Sequence, residues 1–514
     1  MSPQVATAFA LLPRYLAWHV LLSASALILG LLIGLPLAVA AARSPRLRWP
    51  AMTLASLVQT IPSLALLALF YPLLLVLSAA IKPVAGFGLP ALGFLPSLLA
   101  LTLYSILPIL RNTVTGLMGV DPAVIEAADG LGMTSQQKLL RVQAPLAAPV
   151  AMAGVRTAAV WTIGAATLST PVGQTSLGDY IFSGLQTENW IFVLFGCAAS
   201  AILAISVDQL LGLVQAGLTT RDSKRTALGL GLLLIGAFAA VAPLIGAGKP
   251  AYVVGAKNFS EQFILAELMA DRLNAAGATT QTKQGLGSAV AFRALAAGDI
   301  DVYVDYSGTL WANTLGRSDT PSRAVMLSEL TRQLKAKYGV TVLGSLGFEN
   351  AYALAMTSDR AAALGIKTVD DLAAKAGGLA LGSDLEFLSR PEWTALKSAY
   401  GLSFKTQKSY TPTFMYRALT GGEADVISAF SSDGRIAADR LVVLADPKGA
   451  LPAYDAIVLI SPRRANDARL IGALRPLLGK ITVERMRGAN LAVDRDDNKQ
   501  SPQEAARAMA AGLR

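Results

Sequence analysis

Residues that ordinarily carry out covalent chemistry are scarce in this chain of 514 residues. His19 is its single histidine and Cys197 its single cysteine. A Ser-His-Asp relay or a histidine metal site is therefore impossible in the C-terminal half, and no disulfide framework or thiolate cluster can form within the chain. No G-x-x-x-x-G-K-[ST] run occurs, so the phosphate cradle for ATP chemistry is missing. Asp299, Asp301 and Asp305 come nearest to a metal cluster, but Asp299 and Asp301 bracket an apolar strand residue and read as flanking a turn. With no pairing of nucleophile and base, an enzyme is the class least supported, and recognition remains.

The elements that must position recognition residues fall into two unlike halves. Residues 1–247 carry 12 Lys/Arg and 7 Asp/Glu, against 32 and 27 in the remaining 267 residues. The first half has a membrane composition and the second a soluble one. The formal net charge of +10 is split evenly between them, and in the first half it sits in short loops, which argues for membrane orientation and against nucleic-acid binding. A helix needs about 20 apolar residues to cross a bilayer. Runs of suitable length are Val20–Ala42, Trp49–Ile81, Pro83–Leu110, Thr157–Gly178, Asn189–Val207 and Thr226–Gly248. They predict six spans, the fourth starting near Leu146 with Arg156 inside it and His19 at a membrane edge. Basic residues cluster in alternate loops (Arg43, Arg46, Arg48; Arg111, Lys138, Arg141; Arg221, Lys224, Arg225). Those loops read as cytoplasmic, with the N-terminus and everything after Gly248 outside.

The loop before the fourth span holds Glu126-Ala127-Ala128-Asp129-Gly130-Leu131-Gly132, then nine residues, then Val142-Gln143-Ala144-Pro145. Pro122 suits the first position of a short helix, and Gly130 and Gly132 would end it. Such a helix, rich in small residues, suits the groove of a partner. The pattern resembles the EAA loop of type I ABC importer permeases: Glu126, Ala127, Ala128, Gly132 and Pro145 fall in register, Val142 substitutes conservatively, and Ala144 departs from the usual Leu. Asn112-Thr113, Thr170–Gly173 and Leu177–Phe182 resemble the same family, over residues 15–220. The resemblance implies that this loop docks on a separate nucleotide-binding subunit, which uses ATP and Mg while this chain binds no cofactor.

In the C-terminal half Lys249-Pro250 breaks the last helix and Tyr252–Gly255 reads as a first strand. Helical spacing at Glu261–Leu273, Asp370–Lys375 and Pro391–Tyr400 alternates with strand patterns at Ile300–Val304 and Asp425–Ala429. That alternation predicts an α/β fold with largely parallel sheets, in two lobes around a cleft. The domains expected are a permease domain over 1–225, a sixth helix and linker over 226–248, and an extracytoplasmic two-lobed domain over 249–514.

Gly255–Gln262, Asp299–Thr309, Asn350–Leu354, Phe387–Pro391, Tyr416–Leu419 and Phe430–Arg435 resemble binding proteins of ABC importers for glycine betaine, choline and related osmoprotectants, of the periplasmic-binding-protein fold. The resemblance implies a cage of Tyr306, Tyr352, Tyr416 and Phe430. It places Lys257, Thr309 and Arg390 on a ligand carboxylate, with Asn258, Gln262, Asn350 and Asp433 also at the site. A quaternary ammonium has no N–H donor, so aromatic faces must hold it, at roughly 0.5–2 kcal/mol per ring. Four rings supply much of the ~8 kcal/mol of micromolar binding. Phe430 stands where Tyr is expected, and Asn350 where some members carry Asp. Tyr303 reads as core, and Trp311 and Trp393 as packing residues or cleft rims.

Together these resemblances imply a multi-pass chain of a bacterial cytoplasmic membrane, pairing as a homodimer with two nucleotide-binding subunits and importing quaternary-ammonium solutes. Cargo such as ergothioneine or an amino acid, and a receptor that reports solute without moving it, stay open beside that reading.

Overall fold

The computed structural model describes residues 3–85, 88–187, 189–245, 251–317, 319, 321–495 and 497–513. The expected helix break at Lys249-Pro250 lies outside them. The chain divides into two compact units, Met1–Phe182 with Trp190–Gly248, and Ser183–Asn189 with Lys249–Arg514.

The first unit is helical: α1 (Pro3–Arg43), α2 (Pro45–Thr60), α3 (Ser63–Ala85), α4 (Phe94–Met118), α5 (Pro122–Gly130), α6 (Ser135–Lys138), α7 (Ala144–Ala166), α8 (Gly178–Gln186), α9 (Trp190–Thr220) and α10 (Ser223–Val241). Among the described residues six helices are long and apolar enough to cross a membrane: Gln4–Arg43, Ser63–Ile81, Phe94–Met118, Ser135–Val172, Trp190–Thr220 and Ser223–Leu244. The number matches the sequence reading, but the boundaries do not. The apolar run from Trp49 is two helices, because Pro62 lacks an N–H and disfavours helix at the residue before it, leaving Ile61 extended (φ −73°, ψ 126°). The run from Pro83 is also divided, and α4 begins only after Gly93 at φ +82°. His19 lies beside the connection from α7 to α8. It is fully buried, within hydrogen-bonding distance of the Ile163 carbonyl (3.1 Å) and accepting from the Leu177 N–H (3.3 Å).

In the second unit the strands are β1 (Tyr252–Lys257), β2 (Thr280–Leu286), β3 (Val302–Tyr306), β4 (Thr341–Glu349), β5 (Tyr352–Thr357), β6 (Ala380–Asp384), β7 (Thr406–Tyr410), β8 (Val426–Phe430), β9 (Leu441–Val443) and β10 (Asp455–Ile460). They form two five-stranded sheets, β2-β1-β3-β10-β4 and β7-β6-β8-β5-β9, one per lobe. The expectation of largely parallel sheets needs correction, since β10 runs antiparallel to both neighbours in one sheet and β5 in the other. The chain crosses between lobes at 350–351 and again at 444–454. Each crossing feeds a returning strand into the partner sheet, and such a strand is antiparallel. The crossings are tied where the Asn350 N–H donates to the Tyr454 carbonyl at 3.0 Å.

Helices α11 (Ser260–Ala275) and α12 (Ser288–Ala297) follow β1 and β2. The apolar face of α11 (Phe263, Ile264, Leu268, Met269) is buried with Val254, Val302 and Val304 in the main core of this unit. Trp311 and Trp393 are both buried, Trp311 beneath the Arg317 guanidinium at 4.2 Å. Asp301 and Asp305 serve ion pairs, Asp301 with Arg463 and Arg464 and Asp305 with Lys257.

Candidate functional site

In open α/β sheets, ligands bind beyond the carboxyl ends of the parallel strands. In the second unit those ends converge on one cleft: Lys257 closes β1, Tyr306 closes β3, Asp384 closes β6 and Phe430 closes β8. The antiparallel insertions bring their starting ends to the same place, so Tyr352 opens β5 and Tyr454 immediately precedes β10. The cleft encloses about 80 Å³.

Its walls are aromatic. Pairing of β5 with β8 sets Tyr352 opposite Phe430, with ring centroids 5.0 Å apart. Phe259, on the turn into α11, lies parallel to Phe430 (5°, centroids 6.4 Å) and 6.1 Å from the Tyr306 ring. Tyr454 meets Tyr352 edge-on at 5.7 Å. A Cβ at Gly308 would lie 2.7 Å from the Tyr454 ring, so a side chain there would push this wall inward.

Eight of the eleven residues expected from the sequence line the cleft: Lys257, Asn258, Tyr306, Thr309, Asn350, Tyr352, Arg390 and Phe430. Three do not. Tyr416 is buried in a core of the second lobe with Met415, Leu419 and Ile427, its ring 4.1 Å beneath Arg435. On the helix Pro412–Thr420 it stands behind the cage wall, its hydroxyl accepting from the Phe430 N–H at 3.3 Å. Gln262 sits behind the wall, donating to the Tyr306 hydroxyl at 2.9 Å. Asp433 pairs with Arg435 at 2.8 Å, in a smaller neighbouring cavity that also includes Asp494. Sequence reasoning missed Phe259, Ser288, Asp384, Glu386, Thr411 and Tyr454, all of which line the cleft.

The charges are arranged in pairs. Lys257 is almost wholly buried and ion-paired with Asp305, so it reaches the cleft already neutralised and not as a free point charge. Arg390 binds Glu386 at 2.7 Å and Thr309 at 3.4 Å. Its Nε has no partner. Burial pushes the Glu386 carboxyl up, but the charge and hydrogen bond of Arg390 outweigh this and hold it below its usual range. Asp384, raised by burial, caps the loop by accepting from the N–H groups of Glu386 (2.8 Å) and Phe387 (3.0 Å). The carboxylates near the cleft therefore outnumber its two cations.

Behind the wall, fully buried Glu261 accepts from the Tyr306 hydroxyl (2.5 Å), Asn350 Nδ2 (3.1 Å) and Asn490 Nδ2 (3.0 Å). Burial raises its pKa and also that of Tyr306, which stays a phenol and a donor. Because the carboxylate claims Nδ2 of Asn350, the amide oxygen is left as an acceptor without a partner. Asp494, in the neighbouring cavity, is raised to about 6, by burial first and by Asp433, against the opposing charge of Arg435. A raised carboxyl binds protons in the folded state that the unfolded chain has lost, so stability falls as pH rises from about 4 through 6. Thermal unfolding of the C-terminal unit should show about 1 kcal/mol more stability at pH 5 than at pH 7.5 from this group. Asp494→Asn should flatten that slope, and an unchanged slope would refute the assignment.

Residues 250–511 match the substrate-binding domain of ABC-type glycine betaine transport systems, and residues 30–220 the inner-membrane component of binding-protein-dependent transport systems. The chain is a fused permease and substrate-binding subunit of the ABC importer family. It is similar to the ergothioneine transport permease/ergothioneine binding protein EgtU of Helicobacter pylori (strain G27), 30% identical over 91% of this chain and 84% of that one. It is also similar to the choline transport system permease protein OpuBB of Bacillus subtilis (strain 168), 39% identical over 40% of this chain and 88% of that one. A solved glycine betaine/carnitine/choline ABC transporter structure is 27% identical over 51% of this chain and 98% of that chain, with a TM-score of 0.45. As a family member the chain is a multi-pass membrane transport component, and its family implies a nucleotide-binding partner.

Proposed function

We propose that this importer subunit takes up small methylated-ammonium solutes that carry a hydrogen-bond donor, such as choline, carnitine or ergothioneine. The cage of Phe259, Tyr306, Tyr352, Phe430 and Tyr454 offers ring faces to a cation that has no N–H of its own. The surplus of carboxylates supplies its countercharge, and Arg390, with Nε free, suits a carboxylate on the same molecule. Lys257, tied to Asp305, contributes little to that role.

The observation that carries the donor requirement is the unpartnered Asn350 Oδ1 in the cleft wall. A buried acceptor left unpaired costs about 1–3 kcal/mol. Glycine betaine has no donor to satisfy it, whereas choline and carnitine bring a hydroxyl and ergothioneine an imidazole N–H. Ergothioneine gains further support from the similarity to EgtU along most of both chains. Calorimetric titration of the C-terminal unit with choline, carnitine, ergothioneine, glycine betaine and glutamine tests the reading. A donor-bearing methylated cation should bind in the micromolar range, at least about tenfold more tightly than glycine betaine. Binding of glutamine alone would overturn it.

In this reading two copies of the chain pair in a bacterial cytoplasmic membrane, with the N-terminus and the binding unit outside. Two ATP-hydrolysing subunits dock on α5. The tether raises the receptor's local concentration toward the millimolar range.

A further inference from the structure

Arg156 lies 12 residues into α7 and Asp208 lies 12 residues before the end of α9. At 1.5 Å per residue each is about 18 Å from those helix ends. The two ends share one membrane face, because the short α8 between the helices cannot cross. Both groups thus lie within the membrane-spanning stretches Ser135–Val172 and Trp190–Thr220. They form a two-pronged pair, Nε to Oδ1 at 2.9 Å and Nη2 to Oδ2 at 2.7 Å, and Nη1 donates to Gln215 at 2.9 Å. A Cβ at Gly212 would lie 3.4 Å from the guanidinium carbon, an ordinary contact distance, so the guanidinium lies against α9 at this glycine.

A pair that only fastened two helices would be covered, but these side chains are 32% and 25% exposed. They wall a cavity of about 460 Å³ with Ala153, Thr157, Val160 and Trp161, and Trp161 is 51% exposed. Ionisable groups at this depth face a bundle interior or a water-filled path, not lipid.

We infer that this cavity is a transit site for the cargo inside the membrane unit. It takes a small methylated-ammonium solute, with the ammonium on the Trp161 face and Asp208, and any carboxylate or hydroxyl on Arg156. The site repeats the chemistry of the external cleft with one aromatic face, one carboxylate and one guanidinium. When no cargo is present the two charges satisfy each other, and a cargo that carries both an ammonium and a carboxylate satisfies each of them in turn. That makes binding weak, as a site that must release its cargo requires. The inference rests on the cargo class proposed above.

The test uses the full chain assembled with its ATPase subunits in proteoliposomes. Uptake of labelled choline, carnitine and ergothioneine is measured beside titration of the cleft in the same preparations. Trp161→Leu should lower the maximal uptake rate at least tenfold while cleft affinity and the half-saturating concentration stay within twofold of wild type. Trp161→Phe, which keeps a ring face, should recover uptake to within threefold, and Asp208→Asn should behave like Trp161→Leu. Full uptake by Trp161→Leu would make the wall lipid-facing or merely packed and overturn the assignment, and so would failure of that variant to assemble. Failure of the wild-type cleft to bind any of the three compounds would instead sink the cargo reading at its own step, and this site with it.

Discussion

Replacing Tyr352 by alanine should weaken binding of a methylated cation to the C-terminal unit by about 30-fold or more, the largest loss expected from any single ring in the cleft. Tyr352 meets three rings, two of the cage and one behind it: Phe430 at 5.0 Å, Tyr454 at 5.7 Å and Phe387 at 4.8 Å, with the Arg390 guanidinium 5.2 Å from its centroid. Its removal deletes a desolvated cation–π face worth about 2 kcal/mol or more, which corresponds to that factor. It also frees Arg390 from the ring beneath it. Tyr352→Phe keeps the face and should bind within about threefold of wild type. Tyr416 provides the contrast. Tyr416→Ala should cost about 3–5 kcal/mol of stability, as large-to-small changes in a core do, while Tyr416→Phe should leave affinity unchanged. Titration and thermal unfolding of the four variants separate cage from core. An affinity loss in Tyr416→Phe as large as in Tyr352→Ala would put Tyr416 back in the cage.

The difference between these two tyrosines shows what the sequence can reveal. Tyr306, Tyr352 and Phe430 are legible through the motif resemblance, and in the structure each ends or begins a strand, where such sheets present ligand groups. Tyr416 lies in a helix beside Met415 and Leu419, and residue type alone does not tell which way a helical ring points. Tyr454 and Glu386 were hidden for another reason. Tyr454 reaches the cleft only because the chain crosses between lobes and returns, which places it 102 residues after Tyr352 yet against its ring, and Glu386 lies in the loop that follows β6. A signal for Tyr454 was present, since it stands just before the continuous apolar run Ala456–Ile460. In the membrane unit, composition sufficed to count the spans, because about 20 apolar residues in a row have few other uses. It could not place their ends, because Pro62 and Gly93 interrupt helices inside apolar runs without changing their hydropathy.

Ala127→Trp should reduce uptake by the assembled transporter to less than about a tenth of wild type and leave cleft affinity unchanged. Helix α5 is fixed at both ends. Asp121 caps it by accepting from the Ala123 N–H at 2.9 Å, and Gly132 at φ +72° lets its N–H and that of Met133 reach back to Asp129 and Ala128. Within that frame only Ala128 is buried, while Glu126, Ala127 and Asp129 are exposed. Leu131 and Leu140, 77% and 60% exposed, continue an apolar surface that a solvated loop would not favour. A rigid, small-sided helix beside exposed leucines is suited to a partner's groove, and an indole at 127 would hold that groove open. Because position 127 is exposed, the substitution should not unfold the chain, so a loss of uptake would report lost coupling to ATP hydrolysis. Gly132→Ala should give a milder loss, since forcing a Cβ into a left-handed conformation costs about 1–2 kcal/mol and loosens the frame without filling the groove. Uptake and ATP hydrolysis measured together decide the matter. If Ala127→Trp kept both at wild-type levels, the docking surface would have to lie elsewhere on this face.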